Sequence, residues 1–327
     1  MRRLSHTRRA PSAPGARAAA RRARPRGAAG PRGAAGPRAA ETVGAAIERC
    51  ARALARARLH FGHGTDNARD EAAELVFHVA RLSHARGSTA YPEPLTRARV
   101  ARIDELLRER ISRRVPLPYL TRRAFFAGLE LYVDERVLIP RSPIAELIGQ
   151  RFAPWAKRPT GRILDIGTGS GAIALASALA FPRARVDAVD ISAGALAVCR
   201  RNVRRLGLGR RVKVLRSNHF AGLSGRRYDI IVSNPPYVGH AEMRALPREY
   251  RHEPRIALAS GRDGLDSVRA ILAAAPHHLA DEGILVVEVG NTEEALMRAF
   301  PHLPFVWPQI AMGGGGVFIL RAADLER

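Results

Sequence analysis

Cysteine and lysine are almost missing from this chain, and so are long apolar runs. Two cysteines in 327 residues, Cys50 and Cys199, are too few and too far apart for a disulfide framework or a zinc knuckle. A reducing, cytoplasmic compartment is the expectation. The longest apolar stretch, 172–181, stops at Pro182-Arg183. That is well short of the roughly 18 residues a membrane helix needs, so no membrane span is expected. The lysines are Lys157 and Lys213 alone, so arginine carries nearly all of the positive charge. Third ligands at metal spacing are missing around His60 and His63 and around His277 and His278, so no metal is expected. No G-x-S-x-G nucleophile elbow occurs.

Acids are missing from one end. Residues 1–40 hold 11 Arg and no Asp or Glu, so of the formal +24 the remainder carries 24 − 11 = +13. This low-complexity tail lacks the apolar residues that offset chain entropy and reads as disordered. The basic balance of the rest suits an acidic or RNA-containing partner.

From residue 41 to 118 acids return and apolar residues recur at helical spacing: Ile47, Leu54 and Leu59, then Ala72, Leu75, Val76, Val79 and Leu82, then Val100, Ile103, Leu106, Leu107 and Ile111. A small helical domain is expected, closed by Pro116 and Pro118. Residues 119–138 carry two β-rich stretches around Gly128, a hairpin linker. Ser142-Pro143 opens a helix reaching about Phe152. Strands then alternate with helices through 139–327. They fall at 162–167, 185–191, 212–217, 228–233 and 283–289, with a helix at 265–279. A closing antiparallel pair is expected at 305–310 and 317–321. The pattern is α/β, a doubly wound Rossmann-like sheet.

Three motifs sit at strand ends. Asp165-Ile166-Gly167-Thr168-Gly169-Ser170-Gly171 turns from strand to helix, where glycines admit a ligand close to the backbone and free N–H groups favour an anion. Asp190 ends the next strand, placed to accept hydrogen bonds from ribose hydroxyls. Together they imply an adenosine-containing ligand without separating NAD from S-adenosylmethionine. Asn234-Pro235-Pro236-Tyr237, after the apolar Ile230-Ile231-Val232, separates them. The prolines remove two donors and leave carbonyl acceptors. With the Asn234 side chain they meet a planar NH2 group, and Tyr237 offers a flat wall. An amide nitrogen is a poor nucleophile. Hydrogen bonds from its NH2 to Asn234 and the Pro235 carbonyl would orient it and raise its electron density, and alignment with a sulfonium methyl adds proximity.

Glycine loop, strand-two acid and N-P-P-Y together resemble the amino-methyltransferases. The segments Phe61–Asn67, Tyr132–Pro143, Glu249–Pro254, Ala259–Gly264 and Glu288–Asn291 resemble the protein glutamine-N5 methyltransferases, in particular the branch acting on large-subunit ribosomal protein L-three. The resemblance spans about 43–321. It implies a seven-stranded sheet with an antiparallel last strand and S-adenosylmethionine as cofactor. The implied catalytic residues are Asn234, Pro235, Pro236 and Tyr237. The implied cofactor-binding residues are Asp165, Gly167, Thr168, Gly169, Gly171, Asp190, Asn218, His219 and Asn234. The family usually has Ser-Asp at the end of strand three, where this chain has Ser217-Asn218. An amide side chain still accepts from the adenine amino group and donates to a ring nitrogen. His219 and Phe220 are expected to wall the adenine, and Arg141 to lie near the mouth of the site.

Competing readings are a release-factor glutamine methyltransferase, an adenine-N6 DNA methyltransferase and a non-catalytic assembly factor. Flipping and reading a DNA base takes a recognition domain that residues 238–264 are too short to supply. The partner that the resemblance implies is ribosomal protein L-three, and the basic charge suits one held within an rRNA-containing assembly intermediate; no membrane and no specific DNA are expected.

Overall fold

A computed structural model describes residues 40–156, 159–311 and 315–325. The expectation of disorder for the tail through Ala39 lies outside the described residues. The first helices are α1 (Val43–Arg56), α2 (Ala68–Ala80), α3 (Arg97–Arg113) and α4 (Leu117–Thr121). Each of the first three starts on a polar cap. Thr42 accepts from the Ala45 N–H, Asn67 from those of Arg69 and Asp70, and Thr96 from that of Arg99. The apolar stripes face one another. Ile47, Cys50, Leu54, Leu75, Val76, Ile103 and Leu106 share one core, each about 1.5–3 kcal/mol of burial for the larger side chains.

The hairpin follows, β1 (Ala124–Phe126) and β2 (Leu129–Leu131), paired antiparallel. Its turn residues Ala127 and Gly128 both have positive φ, as a two-residue hairpin turn requires. The linker does not dangle. Tyr119, Val133, Val137 and Ile139 pack on Ala195 and Val198 of the catalytic sheet's flanking helix. Helix α5 (Ile144–Gly149) begins as expected, Ser142 Oγ accepting from Ile144 N, but it ends near Gly149 rather than Phe152. Arg151 and Phe152 take left-handed φ and turn the chain away.

The sheet comprises β3 (Arg162–Ile166), β4 (Arg185–Asp190), β5 (Val212–Arg216), β6 (Tyr228–Ser233), β7 (Leu279–Glu288) and β8 (Val317–Arg321). The helices among them are α6 (Ala172–Ala180), α7 (Ala193–Arg205), α8 (His240–Ala245), α9 (Asp266–Ala274), α10 (Glu293–Ala299) and α11 (Ala322–Leu325). Strand order is β5-β4-β3-β6-β7-β8, parallel except for β8. Successive side chains alternate between two cores. Ile163, Ile230 and Val286 face α5 and α6, while Leu164, Ile231 and Leu285 face α9. Burial on both faces explains the unbroken apolar runs.

Two boundaries differ from expectation. Segment 305–310 is not a seventh strand among the described residues. It makes one bridge, Val306 to Ile319, because Pro308 has no N–H to continue a ladder. The helix expected to reach 279 stops at Ala274, and Pro276 in the following turn cannot donate an α-helical bond, so β7 starts at Leu279.

Candidate active site

The carboxyl ends of β3, β4, β5 and β6 surround a cavity of about 300 Å³, the lower end for small-molecule sites. Parallel pairing puts Ser233 opposite Ile166, and Ser233 Oγ donates to the Ile166 carbonyl at 2.8 Å. That bond sets the loop after β6 beside the loop after β3. Gly167, Gly169 and Gly171 all have positive φ. At Gly171 space matters too, since a Cβ would sit 2.8 Å from Cys199 Sγ, so glycine lets α6 pack on α7.

Among the sequence-expected residues, Gly167, Thr168, Gly169, Asp190, Asn218, His219, Asn234, Pro235 and Pro236 line this cavity. Asp190 Oδ2 accepts from Gly169 N (3.0 Å) and Oδ1 from Ser192 N (2.8 Å). The loop is thus pinned, and each oxygen keeps a lone pair for a ligand. Burial raises the Asp190 carboxyl above its ordinary range, against those backbone bonds. His219 holds a left-handed φ in a turn closed by Ser217, and burial lowers its imidazole, favouring the neutral ring. Asn234 is half-buried, and its side chain has no hydrogen-bond partner among the described residues.

Four residues stand behind the lining instead of in it. Asp165 is 1% exposed and holds the glycine loop, accepting from Thr168 Oγ1 (2.5 Å) and Ala174 N (3.1 Å). Burial pushes its carboxyl up to about 7. Gly171 serves helix packing. Phe220 stacks on His278 at 4.6 Å in the core rather than walling a ligand. Tyr237 is an anchor rather than a wall. Its hydroxyl donates to Glu288 Oε1 (2.9 Å), whose other oxygen accepts from Ser142 Oγ (2.5 Å). The Tyr237 ring lies where a Cβ on Gly290 would meet it at 2.5 Å, so glycine is required there.

Two other lining residues carry no sequence signal. Ile191 and Ile256 are 44% and 58% exposed at the cavity, large apolar side chains with no periodicity to betray them. Arg141 also lines it, gripped by Glu253 through two 2.7 Å bonds. Glu253 further accepts from Ile139 N, and His63 Nε2 lies 3.6 Å from it. Glu249 accepts from His60 N (3.0 Å) and lies 3.3 Å from Arg114 Nε. The buried Arg110 bonds Glu71 at 2.7 Å and the His60 carbonyl at 3.0 Å. Segment 249–254 therefore ties α2, α3 and the loop at 60–63 to the cavity wall. Buried Asn202 joins linker to glycine loop, donating to the Tyr132 and Ser170 carbonyls and accepting from Tyr132 N.

The methyltransferase small domain family matches residues 150–250. The ribosomal protein uL3 glutamine methyltransferase of Bordetella pertussis is 46% identical over 280 residues, 84% of this chain and 92% of that protein. The one from Xanthomonas campestris is 46% identical over 82% of this chain and 87% of its own length. The chain belongs to the ribosomal protein uL3 glutamine methyltransferase family. A methyltransferase structure from Pyrococcus furiosus, 21% identical, aligns over 60% of this chain and 89% of its own with a TM-score of 0.45.

The cofactor of this methyltransferase is S-adenosylmethionine, and the residues fit it. Asp190 at the tip of β4 would accept from the ribose hydroxyls, the glycine loop opens α6, and His219 and Asn218 line the same cavity. Asp190→Ala is expected to weaken S-adenosylmethionine binding by about 1.5–3 kcal/mol, as for lost hydrogen bonds to a charged group. Titration calorimetry on the intact chain checks this, and an unchanged affinity would take Asp190 out of the site.

Proposed function

We propose that this enzyme places a single methyl group on the side-chain nitrogen of one glutamine in ribosomal protein uL3, the L-three protein of the large subunit, in the cytoplasm. Free, buried Cys50 and Cys199 suit a reducing compartment. The observation that carries the chemistry is Asn234, an amide facing the cavity with its own hydrogen bonds unspent.

When bound, S-adenosylmethionine supplies an electrophilic methyl on a sulfonium. The chain's work is to hold the nucleophile. Asn234 Oδ1 and the Pro235 carbonyl accept the two N–H bonds of the glutamine amide, pointing its nitrogen at the glycine loop. The two prolines stiffen the acceptors, and Tyr237, fastened to Glu288, keeps the loop from drifting. The glutamine nitrogen gains a bond to the methyl carbon as the carbon–sulfur bond breaks, and the proton it sheds passes to solvent. A charged base is not required against so strong an electrophile. Ile256 and Arg141 at the mouth receive the peptide beside the glutamine.

We assign residues 41–118 to substrate recognition, joined to the site through the Arg110, Glu249 and Glu253 contacts, and 119–138 to a linker. An rRNA-containing assembly intermediate is the form of substrate we favour, since two basic proteins do not attract. The test is mass spectrometry of purified uL3 and of a release factor, each incubated with enzyme and S-adenosylmethionine. One added methyl on one glutamine of uL3 is expected. Methylation of the release factor alone would overturn the substrate and leave the chemistry standing.

A further inference from the structure

The 38 residues Ile191–Tyr228 hold nine Arg, Lys213 and no acid. Ten of the thirteen net positive charges beyond residue 40 thus fall in about an eighth of that region, which a uniform arginine bias does not produce. Folding concentrates them further. The second half of α7 and the amino ends of β3, β4 and β5 form an open groove of about 750 Å³, with Arg162, Arg185, Arg200, Arg204, Arg210 and Lys213 exposed along it.

Elsewhere several cations are paired: Arg49, Arg69 and Arg110 in the helical region and Arg123 in the linker each meet a carboxylate at 2.9 Å or less. In the groove, Arg185, Arg200, Arg204, Arg210 and Lys213 have no acidic partner among the described residues. The single acid there, Asp187, is 8% exposed and already accepts from Arg226 and Tyr228 at 2.8 Å each. Clustered, unpaired cations can neutralise phosphates and release the counterions condensed on a polyanion, and guanidinium forks match phosphate oxygens. The large exposed apolar side chains, such as Phe125, Leu179 and Ile191, do not line the groove, so a lipid surface would find no apolar anchor.

We propose that this groove docks the phosphodiester backbone of RNA. The inference deepens the substrate reading above, because RNA bound to uL3 would supply an attraction that a basic protein alone lacks. The geometry permits it. Groove and cavity lie at opposite ends of β4, and the six residues from Arg185 to Asp190 separate them by about 17 Å. A strand of RNA in the groove leaves the cavity open.

The test uses the full chain and a labelled RNA hairpin of about 16 base pairs, with anisotropy measured across a salt series. The variant combines Arg185→Gln, Arg204→Gln, Arg210→Gln and Lys213→Gln. A control combines Arg2→Gln, Arg3→Gln, Arg8→Gln and Arg9→Gln. The groove variant should lower the slope of log affinity against log salt by about 3.6, close to one for each of the phosphates no longer neutralised, and weaken binding at least about tenfold at low salt. The control should change the slope by less. Methylation of RNA-free uL3 should match the intact chain, showing that the groove variant is folded and active, while methylation of uL3 held on an rRNA fragment should fall. An unchanged slope in the groove variant overturns the proposal. So does retention on phosphatidylserine vesicles without RNA binding. Absence of uL3 methylation by every form, with the slope change present, would instead sink the substrate reading alone.

Discussion

Asn234→Ala is expected to lower turnover by two to three orders of magnitude while S-adenosylmethionine affinity stays within about threefold. The reasoning is positional. Asn234 lines the cavity and its side chain bonds nothing among the described residues, so its removal frees no buried partner there and costs the fold little. Its loss falls on the glutamine amide, which then keeps one acceptor, the Pro235 carbonyl, and can rotate its lone pair away from the methyl. Such an effect appears in kcat and kcat/KM together rather than in KM alone. Single-turnover kinetics beside calorimetry measure both halves. Turnover within about tenfold of the unaltered enzyme would end the role assigned to Asn234.

The second large effect belongs to Glu253. Burial alone would push its carboxyl up, but hydrogen bonds from Arg141, with His63 close by, hold it down to about 2, from an ordinary 4.5. A depressed carboxylate stabilises the fold fully above pH 4.5 and loses that contribution as the pH falls toward 2. Glu253→Gln should therefore cost about 3 kcal/mol at neutral pH, because Arg141 is left at the cavity without its charge partner. It should also flatten the acid limb of the stability profile between those two pH values. Urea denaturation from neutral to acid pH reads both. Parallel acid limbs in the two proteins would show that the pair is not the source of the pH dependence.

The parts of this site that could be read in advance are those whose chemistry is local. A glycine loop, an acid at a strand tip and N-P-P-Y each need neighbours only a few residues away, and each lies where its strand ends. Two expected residues sit behind the lining for a shared reason. Asp165 and Tyr237 carry groups that suit a ligand, yet each is captured by a partner, Thr168 with Ala174 in one case and Glu288 in the other. Whether a polar group meets ligand or protein depends on what the fold brings near it. Segment 305–310 has strand-forming side chains, but Pro308 limits its pairing to a bridge.

Chain order and residue type were enough for the α/β class, the parallel order of strand and helix, and the placing of the glycine loop, Asp190 and Asn234-Pro235-Pro236 at strand ends, because hydrogen-bond capacity, φ preference and apolar period act over one turn or one strand. The grip of Glu253 on Arg141 spans 112 residues, the Glu249 bond to His60 spans 189, and the basic groove draws on three strands and a helix. Contacts of that kind have no local signature. They exist only after the sheet has ordered its strands and the helical region has closed on segment 249–254, and there burial makes each pairing strong.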